Sequence, residues 1–161
     1  MIFGELNKRI KHKPFPIPRI QDLFLKLEGF CYGTSLDLHM GYYHSELNPD
    51  AKWLCTIVLP WGKYEYQRLP KGLCNSPDIF QEKMGDLMAD LEFVRPYIDD
   101  LVVFTHGSWT DHLQKWEQVF LWLKAAGLKV NTKKSSFGKS ELGYLGYCIT
   151  RAGIQPVPKK V

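Results

Sequence analysis

The hydrophobic pattern of this chain predicts two long amphipathic helices among short strands. The pair Ser76-Pro77 is typical of a helix start, and Gly127 is typical of a helix end. Apolar residues repeat at helical spacing after Ser76 and before Gly127. They are Ile79, Phe80, Met84, Leu87 and Met88 in the first run, and Leu113, Trp116, Phe120 and Leu123 in the second. The pattern predicts helices at 76–91 and 109–126, with Ser76 as the N-cap of the first.

The remaining apolar runs are short and bounded by turn residues, which predicts strands. The expected strands are 32–38, 52–59, 64–69, a hairpin over 93–104, 128–130, 141–150 and one that begins at Ile154. Prolines 14, 16 and 18 predict an extended segment over 1–19. A short helix at 20–27 and a turn with a short helix or strand at 41–47 complete the expectation. The order gives an α+β fold, a split βαβ arrangement in which an antiparallel sheet carries both helices on one face.

Composition indicates a single globular domain with an uneven charge. The chain has 161 residues, of which 45% are hydrophobic, and it has no apolar run near the ~20 residues that a membrane span needs. Its four cysteines form no C-x-x-C pair, which disfavours zinc and disulfides and makes a reducing intracellular setting the default. Residues 1–20 carry five basic residues and one acidic residue, and residues 128–161 carry seven basic residues and one acidic residue. The middle, 21–127, carries nine basic and fifteen acidic residues. Basic ends suit phosphate binding, and ordinary solvated surface is the alternative.

Two adjacent carboxylates stand inside an apolar, strand-like stretch. Asp99 and Asp100 follow Tyr97-Ile98 at the predicted tip of the 93–104 hairpin, and Asp37 lies in a second apolar stretch, 35–38. A charge among apolar residues needs a partner, and Mg²⁺ prefers carboxylate and phosphate oxygens. Asp37 beside Asp99 and Asp100 would supply ligands for a pair of ions that clamps a phosphoryl transfer. The alternatives are a solvated Asp-Asp turn and a strand-end carboxylate that caps a following turn.

Several motifs in order resemble the catalytic blocks of reverse transcriptases. The residues that carry the resemblance are Leu36 to Tyr42, Thr56 to Tyr66 as T-x-x-x-P-x-G-x-Y-E, Leu69 to Gln81 as P-x-G-L-x-N-x-P-x-x-F-Q, Tyr97 to Asp100, and Leu145-Gly146-Tyr147. The residues of these motifs are most similar to those of RNA-directed DNA polymerases of gypsy-type LTR retrotransposons. The resemblance implies a reverse-transcriptase palm with partial fingers, in which 1–35 and 50–70 are fingers-like and 36–49 and 71–161 are palm.

The resemblance also implies roles for individual residues. Asp37 and Asp99 would bridge two Mg²⁺ ions, for which Mn²⁺ can substitute, with Asp100 nearer the ion at the primer end. Lys134 would protonate the leaving pyrophosphate. Tyr42 would exclude the 2′-hydroxyl of a ribonucleotide, and Lys71 and Tyr97 would also contact substrate. Lys71 departs from the family, in which Gln or an apolar residue stands at this position.

The resemblance finally implies partners and leaves one alternative open. The expected partners are a primed RNA or DNA template, deoxynucleoside triphosphates and the remaining polyprotein domains, namely thumb, RNase H and integrase, with no membrane. We expect the chain itself to lack the thumb, connection and RNase H domains, and to act inside the cell in a cytoplasmic particle or the nucleus. Ile2, Phe3 and Gly4 stand at the first three places of the family's D-F-R-x-L-N, so the acid and the arginine of that motif are both absent. The alternative is therefore an inactive retroelement remnant that binds nucleic acid or protein.

Overall fold

The computed structural model describes residues 3–16, 19–25, 27 and 29–157, which form five α-helices, one 3-10 helix and ten strands. The α-helices are α1 Gly4–Arg9, α2 Ile20–Leu25, α3 Pro49–Leu54, α4 Ser76–Leu87 and α5 Trp109–Ala125, and the 3-10 helix is Gly41–His44. The strands are β1 Tyr32–His39, β2 Thr56–Leu59, β3 Gly62–Glu65, β4 Val94–Tyr97, β5 Asp100–Thr105, β6 Lys129–Val130, β7 Ser136–Lys139, β8 Glu141–Tyr144, β9 Tyr147–Thr150 and β10 Gly153–Pro156. No helix among the described residues is long and apolar enough to cross a bilayer.

The central sheet is antiparallel and has the order β4-β5-β1-β6, with β7 also paired to β1. Because side chains alternate between the two faces of a strand, the register decides which residues face the helices. Leu36 and Leu38 of β1 and Leu101 and Val103 of β5 are buried in one core cluster. That cluster also contains Phe80 and Met84 of α4 and Val119 and Leu123 of α5. The predicted α+β fold, with an antiparallel sheet and both long helices on one face, is confirmed.

The opposite face of the sheet is only partly covered. Val102 and Phe104 of β5 are buried there in a second cluster against the three-stranded sheet β10-β9-β8. Because β5 is buried on both faces at this end, its sequence is a continuous apolar run rather than an alternating one. Toward the other end of β1 and β5 this face carries Asp37 and Asp100 instead, which form a cross-strand pair.

A buried histidine joins α5 to the sheet. His112 is 1% exposed, and its Nε2 lies 2.9 Å from Oγ1 of Thr34 while its Nδ1 lies 3.0 Å from Oγ1 of Thr105. Trp109 stacks on its ring. The predicted α5 face was partly wrong, because His112, Val119 and Leu123 are the buried residues and Leu113 is 40% exposed. The helix end is confirmed, since Gly127 has φ +72° just beyond Ala125.

The first 19 residues are not all extended, which corrects the sequence prediction. The prolines restrict only the residues near them, and α1 lies upstream of the first one. Asn7 of α1 holds this segment to the 70–75 loop, because its Nδ2 donates to the Gly72 carbonyl at 2.7 Å and its Oδ1 accepts from the Cys74 amide at 2.9 Å. Positions 1–2 and 17–18 of that prediction, and position 26 of the predicted helix 20–27, lie outside the described residues.

The β2–β3 hairpin is confirmed, but its flanks differ from the prediction. Residues 49–54 form α3 rather than the start of a strand, since Asn48 caps this helix through a 2.7 Å bond from the Ala51 amide and Pro49 follows at the first position. β3 ends at Glu65, and Arg68 makes only an isolated bridge to Glu46. A local cap therefore outweighed the apolar pattern of 52–55.

Three further boundaries differ from the prediction for local reasons. Asn75, not Ser76, is the N-cap of α4, because the Ser76 hydroxyl donates to the Pro70 carbonyl at 2.8 Å, and α4 ends at Leu87. The predicted strand 141–150 is a hairpin, β8–β9, whose turn residues Leu145 and Gly146 both have positive φ. Strand β7 was missed, because 136–139 has too few apolar residues to show a pattern.

Candidate active site

The predicted Asp-Asp hairpin is present and has a two-residue tip. Tyr97 of β4 pairs with Asp100 of β5, so Ile98 and Asp99 form the turn. Ile98 has φ +52°, a conformation that a β-branched residue rarely adopts. The buried side chain of Gln81 in α4 holds it there, because Gln81 Oε1 accepts from the Ile98 amide at 2.6 Å and Gln81 Nε2 donates to the Pro96 carbonyl at 3.2 Å. Gln81, the second residue of the F-Q pair, thus positions the hairpin tip that carries Asp99.

The three aspartates are close enough to repel one another. Asp37 and Asp100 face each other across β1 and β5, and the Leu38 amide donates to the Asp99 carbonyl at 3.0 Å, which ties the tip to β1. Burial, and then the charge of Asp37, raise the pKa of Asp100. Burial also raises the pKa of Asp99, and Asp37 adds to this while Lys71 opposes it. The structure therefore concentrates negative charge at one end of the sheet.

The donor set fits a divalent ion, although the site is not fully preformed. One carboxylate oxygen, Oδ1 of Asp99, is buried and has no hydrogen-bond partner among the described residues. The same part of the chain contains no group of three or more His, Cys, Asp or Glu side chains arranged to hold a metal ion. The pKa values of Asp99 and Asp100 are raised although Lys71 and Lys134 oppose the rise, so these lysines offset the burial and repulsion of the carboxylates only in part. Hard oxygen donors of this kind are those that Mg²⁺ prefers.

Two lysines face the carboxylates. Nζ of Lys71 lies 3.9 Å from Oδ2 of Asp99, in a pair whose side chains are 58% and 35% exposed. Lys134 lies near enough to Asp100 to oppose the rise of its pKa. Both lysines are exposed, so their ammonium groups can reach a phosphate that approaches the three aspartates.

A cleft of about 380 Å³ lies beside the hairpin tip. Its lining includes Asp99, Lys71, Tyr42 and Cys74. Tyr42 is buried, and its ring centroid lies 5.2 Å from that of Phe80. Gly41 permits this packing, because a Cβ there would lie 2.6 Å from Cζ of Phe80. Burial, with a smaller effect of Asp99, raises the pKa of Tyr42 to about 12, so its hydroxyl stays neutral. A larger cleft of about 690 Å³ beside α4 and β4 includes none of the three aspartates.

The structure separates Tyr97 from this cleft and reveals a residue that the sequence reasoning missed. Tyr97 packs against the second core cluster on the face that carries Asp100. Tyr144 of β8 is buried in the same cluster, and its hydroxyl has no partner among the described residues. Burial, and then Asp100 and Tyr97, raise the pKa of Tyr144. Only the alternation of Leu142 and Tyr144 along β8 signalled its inward orientation.

Comparison with known proteins identifies the family of this chain. Residues 1–149 match the profile of the family described as reverse transcriptase (RNA-dependent DNA polymerase). The chain belongs to the reverse transcriptase family. The matched region includes Asp37, Asp99, Asp100, Tyr42, Lys71 and Lys134.

The relatives of this reverse transcriptase segment are much longer proteins. The chain is 34% identical over 161 residues to the retrovirus-related Pol polyprotein from transposon 297 of Drosophila melanogaster, with 99% of the chain and 15% of the polyprotein covered. It is 30% identical over 161 residues to the Pol polyprotein from transposon gypsy of the same organism, at 99% and 16% coverage. The chain thus spans about one-sixth of these relatives.

Solved structures share the fold at high similarity. The foamy viral protease-reverse transcriptase in complex with double-stranded DNA superposes with a TM-score of 0.91 at 26% identity, covering 98% of this chain and 28% of that one. The foamy viral protease-reverse transcriptase in complex with an RNA/DNA hybrid superposes with a TM-score of 0.87 at 26% identity, covering 98% of this chain and 21% of that one. Both comparison structures therefore contain nucleic acid duplexes beside this fold.

Proposed function

We propose that this chain carries the polymerase active site of an RNA-directed DNA polymerase, as part of a retrotransposon polyprotein. It would add deoxynucleotides to the 3′-hydroxyl of a primer on an RNA or DNA template. The observation that carries the proposal is the hairpin tip, where Asp99 stands beside Asp37 and Asp100, and where the buried Oδ1 of Asp99 has no hydrogen-bond partner in the part of the chain that the structure describes. The duplexes held by the foamy viral relatives support a nucleic acid substrate.

The three aspartates are proposed to hold two Mg²⁺ ions. When bound, these ions, or Mn²⁺ in their place, would lower the pKa of the primer hydroxyl and neutralise charge on the triphosphate. Burial, with a further effect of Asp37, raises the pKa values of Asp99 and Asp100, which supports a site whose negative charge is offset only in part. We therefore expect weak metal binding by the free chain and stronger binding once nucleotide phosphates complete the ligand set.

The cleft beside the tip is proposed to bind the incoming nucleotide. Tyr42 presents a buried ring on one wall, which would leave no space for a 2′-hydroxyl. Lys71 on the same cleft would contact the triphosphate or the sugar. Lys134, next to Asp100, would give a proton to the pyrophosphate as it leaves. Tyr97, paired with Asp100, would contact substrate beside the carboxylates.

The division into subdomains is part of the same proposal. Residues 1–35 and 50–70 would be fingers-like, which suits the separate β2–β3 hairpin, and 36–49 and 71–161 would form the palm. The first boundary falls inside β1. Thumb, RNase H and integrase domains would belong to the longer polyprotein. The protein would work inside the cell, in a cytoplasmic particle or the nucleus, which suits its four free thiols.

Primer extension tests the proposed activity. The 161-residue chain is incubated with a DNA primer annealed to an RNA template, the four deoxynucleoside triphosphates, and Mg²⁺ or Mn²⁺. The proposal expects products that grow to the end of the template and disappear when a chelator is added. Nucleotide addition that ignores the template, or that continues in chelator, would contradict it. Binding of the primed template without extension would instead support an inactive binding module.

A further inference from the structure

One edge of β1 has a gap in its strand pairing at the proposed metal ligand. On the side away from β5, Gly33 and Ser35 pair with β7, while Leu38 and His39 pair with β6. Residues 36 and 37 therefore lie between two short strands, and neither strand offers them a ladder partner. A backbone amide left unpaired in such a half-buried position costs free energy, so the groups of Asp37 need partners from elsewhere.

The loop that joins β6 to β7 supplies those partners, and one of them is a side chain. The Asn131 amide donates to the Asp37 carbonyl at 2.8 Å. The Asp37 amide donates to the hydroxyl oxygen of Ser135 at 3.1 Å. The Ser135 hydroxyl then donates to the Asn131 carbonyl at 2.8 Å, which closes the loop on itself. A single hydroxyl thus accepts from β1 and donates within the loop.

The same loop carries Lys134. The Lys134 amide donates to the Asn131 carbonyl at 3.1 Å, so its backbone position depends on the acceptor that Ser135 also uses. Lys134 lies near Asp100, which faces Asp37 across the sheet. The loop therefore connects an aspartate on β1 with a lysine that faces the aspartate on β5.

We propose that Ser135 is a positioning residue, whose hydroxyl fixes Asp37 and the loop of Lys134 relative to each other. This inference rests on the proposed function, because it assigns Ser135 to the metal-binding end of the sheet. Ser135 touches neither substrate nor metal in this role and acts through the backbone of Asp37. Groups that orient the ligands of a metal in this way typically change metal affinity or activity about 10–100-fold when removed.

Hydrogen exchange and Mn²⁺ binding test the role without any need for polymerase activity. The variants are Ser135→Ala, Ser135→Thr and, as a matched control, Ser140→Ala at an exposed serine. In the ¹⁵N-labelled chain, Ser135→Ala should speed exchange of the Asp37 amide about tenfold. It should leave the Leu38 amide unchanged, because that amide donates to Asp99 on the opposite edge of β1. A merely destabilised fold would speed both.

Mn²⁺ titration in the presence of dTTP supplies the second readout. Ser135→Ala should weaken Mn²⁺ binding about 10–100-fold, while Ser135→Thr restores both readouts and Ser140→Ala changes neither. Unchanged Asp37 exchange in Ser135→Ala, or Mn²⁺ binding equal to that of the wild-type chain, would overturn the role of Ser135 alone. A wild-type chain that binds no Mn²⁺ with dTTP would instead overturn the proposed metal site, and with it the assignment of Ser135.

Discussion

The ammonium nitrogen of Lys71 lies 3.9 Å from a carboxylate oxygen of Asp99, across the cleft beside the hairpin tip. Lys71 also lies 5.6 Å from the centroid of the Tyr42 ring. A cation of the chain thus partly offsets the charge of a proposed metal ligand. The family resemblance predicts Gln or an apolar residue at this position, and Lys71 departs from that prediction.

Replacing Lys71 with Met should raise the pKa of Asp99 further, because the Lys71 charge is what lowers it. The free energy of unfolding should change by less than about 1 kcal/mol, since solvent screens a pair in which the Lys71 side chain is exposed and that of Asp99 is half-buried. Carboxyl ¹³C titration of Asp99 by NMR measures the pKa, and Lys83→Met at an exposed lysine of α4 is the control. An Asp99 pKa that does not move would show that Lys71 has no electrostatic role at the tip.

Replacing Gln81 with Met should loosen the hairpin tip. The half-buried Ile98 amide would lose its 2.6 Å partner while Ile98 stays in the left-handed region, which should cost about 1 kcal/mol, the lower end of the range for an unsatisfied amide. Thermal unfolding followed by circular dichroism should show a lower melting temperature, by about 2–4 °C per kcal/mol for a chain of this size.

Gln67→Met, at an exposed glutamine, is the control for this prediction. Adding Ile98→Gly to Gln81→Met should recover part of the loss, because glycine adopts positive φ without strain. A Gln81→Met variant as stable as the wild-type chain would contradict the assignment of Gln81 as the residue that holds the turn.

The buried histidine predicts a pH dependence of stability. Burial lowers the pKa of His112, so the folded protein binds its proton less readily than the unfolded chain, whose histidine has a pKa of about 6.5. Below about pH 6.5 the unfolded state takes up more protons, and stability therefore falls as the pH falls through this window. Asp99 and Asp100, whose pKa values are raised in the folded protein, give stability the opposite dependence on pH. The contribution of His112 is therefore measured by comparing a His112 variant with the wild-type chain.

His112→Gln should reduce this loss of stability on acidification. It should also lower the free energy of unfolding at pH 7.5 by about 1–3 kcal/mol, because a threonine hydroxyl loses its partner. Denaturant unfolding at pH 7.5 and 5.5 measures both effects, with His39→Gln at an exposed histidine as the control. The same dependence on pH in His112→Gln and the wild-type chain would show that another group titrates.

Replacing Tyr42 with Ala should admit ribonucleotides. Removal of the ring opens the cleft where the sugar is proposed to lie, and the ratio of ribonucleotide to deoxynucleotide incorporation should rise on the order of 10-fold or more. Tyr42→Phe keeps the ring and should keep the selectivity, since the tyrosine hydroxyl stays neutral.

Because Tyr42 packs on Phe80, the alanine variant loses core contacts worth about 3–5 kcal/mol. Tyr42→Val gives a smaller loss and a smaller opening, but it also removes the ring from the cleft. Incorporation is measured in primer extension with one ribonucleotide at a time. If an active Tyr42→Val variant keeps the same sugar selectivity, Tyr42 is not the residue that excludes the 2′-hydroxyl.

Much of this fold follows from local patterns in the sequence. The apolar runs on either side of Asp99 and Asp100 predicted the β4–β5 hairpin. The second apolar repeat predicted α5, which begins after Ser108 and ends before Gly127. The predicted strand 52–59 was wrong over residues 52–54, because the Asn48 cap and Pro49 dominate over an apolar pattern of only a few residues. Short elements are determined by one or two contacts that periodicity does not reveal.

The candidate site was predictable only in part for a similar reason. Motif order identified the aspartates, and the strand register then placed Asp37 opposite Asp100. Ser135 and Tyr144 carry no motif that was recognised, and their contacts with the site depend on tertiary placement. His112 was missed because a histidine at helical spacing cannot be distinguished from a surface residue until two threonines are brought to it by separate strands.

Primer extension on an RNA template with Mn²⁺, by the wild-type chain and Asp99→Asn side by side, tests most directly whether the hairpin carboxylates form a polymerase active site. Asp90→Asn, at an exposed aspartate, serves as the control. We expect metal-dependent extension by the wild-type chain and Asp90→Asn, and none by Asp99→Asn, whose fold is checked by circular dichroism. Extension that survives in Asp99→Asn would contradict the assignment of the hairpin carboxylates as the catalytic centre.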